Sequence, residues 1–151
     1  MLEEGVLMRT VVLATDGSEP GERATNFAVQ LTKRFEADLF IVHVSGNMDL
    51  SRHDIRALER AEGNVADVFE QVAKQILTRA EVNARNAGIA SIQTRIGWGD
   101  PAEQIIDIAR RVGADGIVMG RRGLGRLSGL LLGSVSQKVA SLAPCVVILV
   151  P

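Results

Sequence analysis

Two hydrophobic periods alternate along this chain, and that alternation is what most restricts its fold. Short β-branched runs at Thr10-Val11-Val12-Leu13-Ala14, Asp38 to Val44, Gly116-Ile117-Val118-Met119 and Cys145 to Val150 read as buried strands. Ser91 to Ile96 instead alternates through Ile92, Thr94 and Ile96, as suits a strand at a sheet edge. Between these runs the apolar spacing becomes helical. Ala24, Phe27, Ala28, Leu31 and Phe35 follow Ser18 and Pro20, and Val65, Val68, Phe69, Val72, Ile76 and Ala80 form a second stripe closing near Gly88. A third helix has an N-cap at Asp100, Pro101 at its first position, a capping-box Glu103, a face of Ile105, Ile106, Ala109 and Val112, and a stop at Gly113. Ser134-Val135-Ser136-Gln137 reads as another capping box, opening a short helix that ends before Pro144. Asn47 to Glu62 is a loop or a short separate helix.

The resulting order, β-α-β-α-β-α-β-α-β, predicts an α/β fold: a five-stranded parallel sheet, doubly wound with helices on both faces and joined by right-handed crossovers. Its 151 residues suit one domain spanning 1–151. In such sheets ligands bind beyond the carboxyl ends of the strands, where the strand order reverses. The residues following the first, second and fourth strands are therefore where function is expected.

Composition narrows the choice of ligand. A formal net charge of −1 argues against broad attraction to nucleic acid or to a membrane surface. No stretch approaches the roughly 20 apolar residues that span a bilayer, and Met1 to Met8 lacks the pattern of a signal peptide. The single cysteine, Cys145, allows neither an internal disulfide nor a cysteine metal cluster, so a cytoplasmic location is expected.

Unusual chemistry follows the fourth strand. Gly120, Gly123, Gly125, Gly129 and Gly133 fall within fifteen residues, interspersed with Arg121, Arg122 and Arg126 and ending on Ser134. Glycines let main-chain N–H groups converge on an anion without a side chain intervening. The helix that follows adds open N–H donors, expected at Gly133, Ser134 and Val135, and a favourable dipole. The Ser134 hydroxyl either caps that helix or donates to a phosphate oxygen. The segment is thus a phosphate cradle or else a plain surface loop with scattered arginines. Asp16 is likewise either a site residue or a turn residue bonding its own backbone.

These residues also carry a resemblance. The spacing Gly120-x₂-Gly123-x₉-Gly133-Ser134 resembles the ATP-binding signature of the universal stress protein family. Val11 to Ser18 resembles that family's first strand and Asp-containing turn, Leu130 to Ser136 its entry into the last helix, and Ala143 to Val147 its closing strand. The four blocks occur in order over essentially the whole chain. The resemblance implies the adenine nucleotide alpha hydrolase-like variant of the Rossmann-like fold. It also implies ATP as ligand, with any Mg²⁺ or Mn²⁺ riding on the phosphates. By the same resemblance Ala14, Thr15 and Asp16 face ribose or base, the Val44 backbone meets the adenine, and Met119 and Gly120 line the base and ribose side. Arg122 belongs to the same loop, and Gly123, Gly133, Ser134 and Val135 hold the phosphates. It further implies a homodimer built through the last strand, and a sensing role in stress response rather than turnover. Slow ATP hydrolysis at this site and a nucleotide-free interaction module stand as alternatives.

Other motifs are weaker. A dinucleotide fingerprint requires its glycines on the first βα turn and an acid about twenty residues on, and neither holds. No Gly-Lys-Ser or Gly-Lys-Thr occurs. His43 and His53 lack partners at ligand spacing, so no metal site is expected, and His43 is read as a hydrogen-bonded core or edge residue. Trp98, between Gly97 and Gly99, either packs or covers a ligand. No serine has a readable His/Asp partner set, so nucleophilic catalysis is unsupported.

Overall fold

The computed structural model describes residues 5, 7–45, 56, 60, 65–123 and 131–151. In chain order these form β1 (Thr10–Ala14), α1 (Glu19–Phe35), β2 (Asp38–Ser45), α2 (Val65–Asn86), β3 (Ile92–Trp98), α3 (Pro101–Val112), β4 (Gly116–Gly120), α4 (Ser134–Leu142) and β5 (Val146–Val150). All strand pairings are parallel, in the order β3-β2-β1-β4-β5. The chain builds outward from β1 to β3, then returns to β4 on the other side of β1. Strand order therefore reverses between β1 and β4, which is where the glycine-rich segment begins.

Successive strand residues point to opposite faces, and the core divides accordingly. Val11, Leu13, Leu39, Ile41 and Val118 pack beneath α1 and α2, while Val12, Ala14, Val42, Ile117 and Met119 pack beneath α3 and α4. Leu13, Leu39, Ile41 and Ile117 are fully buried, each burial stabilising the fold by roughly 1.5–3 kcal/mol. β3 is the expected edge strand, although it begins at Ile92 and continues to Trp98.

Several helix limits are as the sequence predicts. Ser18 caps α1 by accepting a hydrogen bond from Gly21 N–H at 3.1 Å, and Asp100 caps α3 by accepting from Glu103 N–H at 2.9 Å. Gly113 closes α3 in the left-handed conformation, with φ 64. The faces of α1 and α2 are rotated from the expected stripes. Phe27 is 42% exposed, because the buried line runs through Gly21, Ala24, Thr25, Ala28, Val29 and Thr32. Two threonines thus occupy core positions that an apolar count misses, and Thr25 donates its hydroxyl hydrogen to Gly21 O at 2.9 Å. In α2 the fully buried line is Ala73, Leu77, Ala80 and Ala84, with Val68, Phe69, Val72 and Ile76 only half-buried beside it.

The capping box expected at Ser134 does not form. Gly133 is the N-cap of α4 and no side chain caps it; Ser134 is already the first helical residue. Ser136, inside the expected box, has another use. It donates its hydroxyl hydrogen to Arg121 O at 2.6 Å, with Gly133 O 3.0 Å away, which ties the exit of β4 to the start of α4.

Candidate functional site: a crevice at the reversal of strand order

Beyond β1 the chain turns at Thr15-Asp16-Gly17-Ser18. Thr15 N–H donates to Val42 O at 3.0 Å, and Thr15 O lies 2.9 Å from Nδ1 of buried His43. The His43 ring therefore donates through Nδ1 and locks the turn to β2, the hydrogen-bonded core role expected of it. Asp16 accepts from Ser18 N–H at 2.9 Å and from the Ser18 hydroxyl through the same oxygen, Oδ1. Since Ser18 is also the α1 N-cap, the carboxylate is fixed by the helix it precedes. Gly17 has φ +76, a conformation suited to glycine.

Both readings of Asp16 meet in this geometry. It bonds its own turn, and it also faces the glycine segment: a Cβ placed on Gly123 would run into Asp16 Oδ2. A Cβ on Gly120 would lie 3.0 Å from Pro20 Cβ and 3.1 Å from Arg122 O. At these two positions the β4 exit lies close against the β1–α1 turn and the first residues of α1, and a Cβ would force its neighbours to shift.

The start of α4 is tied to the same β4 exit. Arg121 N–H donates to Val150 O at 2.6 Å, and Gly133 N–H donates to Arg121 O at 2.9 Å. The Gly133 donor, expected to be open, is thus used internally. The first bond of the helical ladder runs from Gln137 N–H to Gly133 O at 3.0 Å, so the N–H groups of Ser134, Val135 and Ser136 precede the ladder. Ser134 is exposed, Val135 half-buried and Arg122 exposed; Arg121 is half-buried. Gly125, Arg126 and Gly129 lie outside the described residues, as does the Asn47 to Glu62 stretch apart from Arg56 and Arg60.

The remaining expected residues lie on one face. Ala14 pairs in register with Met119, and both are buried among residues under α3 and α4, with Val44 packed against the same cluster. β2 runs one residue past Val44, to Ser45. Ala14, Val44 and Met119 therefore share one face of the sheet near its carboxyl end, with Ala14 and Met119 buried and Val44 half-buried. Trp98 closes β3 opposite Ser45 and is 47% exposed, so packing does not consume it.

Sequence reading missed two neighbours of this surface. Gly97 pairs with Val44, and Gln104 of α3 stands over Gly97. Lys138 of α4 reaches Asp100 Oδ1 at 3.4 Å and Glu103 Oε1 at 3.3 Å, joining the two helices that flank the crevice. The Glu103 backbone N–H, followed by Lys138, holds the Asp100 carboxyl below its usual range. The hydrogen bond to Glu103 pushes Lys138 up, and burial pushes the Cys145 thiol up. A cavity of about 360 Å³ lies between α1 and α2, lined in part by Gly17 and by Thr15, one of the residues expected to face the ligand. It is crossed by Arg79–Glu22 and Asn83–Asn26 contacts, each 2.7 Å, and includes neither the glycine segment nor the α4 terminus. Its polar pairs join helices; the crevice is the better ligand candidate. Among the described residues no group of three or more His, Cys, Asp or Glu is placed to hold a metal ion, and no helix is long and apolar enough to cross a membrane.

Comparison with known proteins gives this crevice a context. The universal stress protein family model matches residues 8–151. The chain belongs to the universal stress protein family. A putative universal stress protein of Staphylococcus epidermidis is 33% identical over 143 residues, covering 94% of this chain and 83% of that protein. A solved universal stress protein in complex with cAMP superposes with a TM-score of 0.72 at 29% identity, covering 95% of this chain and 97% of the other. The universal stress protein from Archaeoglobus fulgidus in complex with dAMP gives a TM-score of 0.65 at 26% identity, covering 97% and 100%. The five-stranded parallel α/β fold is thus that of the universal stress proteins, and members of the family bind adenine nucleotides.

Proposed function

We propose that this universal stress protein is a nucleotide-sensing regulator that binds ATP in the crevice between β1 and β4. The observation that carries the reading is the closure of the β1 turn on the glycine segment. Asp16 stands against Gly123, Gly133 at the head of α4 is bonded to Arg121 of the same β4 exit, and Ala14, Val44 and Met119 share the adjoining face of the sheet. The parts divide the ligand by chemistry. The N–H groups of Ser134 and Val135 and the Ser134 hydroxyl, which does not cap α4, suit phosphate oxygens, aided by the helix dipole and by Arg122. The Asp16 carboxylate repels phosphate but accepts hydrogen bonds from ribose hydroxyls. Ala14, Met119 and Val44 offer an apolar bed for a base, with the Val44 backbone to meet its polar edge. A divalent ion would arrive on the phosphates. The cAMP and dAMP complexes of relatives support the adenine part of this reading.

Binding rather than hydrolysis fits the residues on hand. Asp16 is oriented by Ser18 through Oδ1, which suits holding a hydroxyl better than taking a proton from water. A second copy of the chain would pair along β5. That strand is the outer edge of the sheet, and its Val146 is 53% exposed.

Thermal unfolding with added ligand tests the binding claim. ATP with magnesium at about 100 times its Kd should stabilise the fold by roughly 2.7 kcal/mol. Inorganic triphosphate and adenosine, each engaging half of the crevice, should do less. Equal shifts with ATP and with triphosphate alone would contradict a base-binding surface.

A further inference from the structure

The α3 helix places a hydrogen-bonding side chain beside the last residues of β2, where nothing in the phosphate cradle requires one. Three residues converge there. From the point where a Cβ on Gly97 would stand, Val44 Cγ2 lies 3.2 Å away, Gln104 Cβ 3.3 Å and Gln104 Oε1 3.5 Å. Gly97 is the register partner of Val44, so any side chain at 97 would occupy the gap between Val44 and the carboxamide. Gln104 is held in place by its helix, since its N–H donates to Asp100 O at 3.0 Å and Asp100 caps α3. The side chain is half-buried, and its Oε1 lies on the same side of Gly97 as the Val44 side chain.

We infer that Gln104 is a specificity-determining residue of the crevice, reading the edge of a purine base seated on Val44. This rests on the nucleotide reading above. A carboxamide offers one donor and one acceptor in a plane, the pattern that matches the exocyclic amine and ring nitrogen N7 of adenine. A 6-oxo purine presents two acceptors at the same edge and can satisfy only the donor. Gly97 leaves the room this requires. The selected class is therefore 6-amino purine nucleotides over 6-oxo purine nucleotides, whatever the number of phosphates.

The experiment is calorimetric titration with ATP and ITP, which differ at the 6-position. Parent protein should favour ATP by about 10-fold or more, the size of one good bidentate contact. Gln104→Leu should cut the ratio several-fold, chiefly by weakening ATP, any remaining preference belonging to the Val44 backbone. Gln104→Glu, close to the parent in shape, keeps the acceptor for the 6-amine but sets a carboxylate against N7 and against a 6-oxo group, so both nucleotides should weaken while the preference for ATP stays. Ser134→Ala should weaken both nucleotides alike and leave the ratio standing. An unchanged ATP-to-ITP ratio in Gln104→Leu would overturn this inference while leaving nucleotide binding intact. Absence of binding by the parent protein would instead overturn the function on which it rests.

Discussion

The contact between Asp16 and Gly123 can be tested by adding a single methyl group. Gly123→Ala places a Cβ against Asp16 Oδ2. The carboxylate cannot swing away freely, because Oδ1 is held by both the N–H and the hydroxyl of Ser18. Overpacking of this kind costs about 1–3 kcal/mol. In a 151-residue domain each kcal/mol lowers Tm by about 2–4 °C. Urea unfolding of four proteins (parent, Gly123→Ala, Asp16→Ala and the double variant) completes a cycle. In the Asp16→Ala background the carboxylate is gone and the added methyl should cost little, so the two effects should fail to add by at least about 1 kcal/mol. Additivity within about 0.5 kcal/mol would show that the two residues do not meet, and would remove the geometric basis of the cradle.

Further expectations concern the frame around the crevice. Glu36 ends α1 in the left-handed conformation with φ 52; Glu36→Gly should stabilise the fold by about 1 kcal/mol, read as a higher urea midpoint. Asp100→Ala removes the α3 cap and should cost about 1 kcal/mol at pH 7. Because the folded-state pKa of Asp100 lies below its ordinary value of 3.8, its charge contributes above that pH and the contribution is lost as pH falls through the lower folded value. Urea midpoints of parent and Asp100→Ala should therefore converge in acid, and a constant gap down to about pH 2 would contradict this. If β5 is the pairing edge, sedimentation should give a dimer mass, and Val146→Lys, at a half-exposed position on that edge, should shift the mass toward the monomer.

The sheet was legible because each strand is a β-branched run bounded by a helical stripe, and the two periods differ too much to confuse. Its ends were less so. Ser134-x-x-Gln137 matches a capping box, yet Arg121 O captures the Ser136 hydroxyl and leaves Gly133 as the cap. That carbonyl is fifteen residues away in sequence, so no local pattern could reveal the competition. A comparable separation hid the use of the Gly133 N–H, whose acceptor is also Arg121 O. Thr25 and Thr32 lie on the buried face of α1 despite their hydroxyls, which rotates the helix away from the stripe drawn through Phe27. Gln104 escaped notice because glutamine on a helix is ordinary; only the register of Gly97 with Val44 gives it meaning. In contrast, Asp16 and Gly123 were singled out from separate strand ends, and a parallel sheet with β1 beside β4 brings them together.

Isothermal titration of the protein with ATP and magnesium measures the central claim most directly. The crevice predicts saturable binding at sub-millimolar nucleotide, weakened in Ser134→Ala and in Gly123→Ala, whose sites lie at the start of α4 and against Asp16. No detectable heat of binding at millimolar ATP, from protein whose fold is intact by circular dichroism, would contradict it.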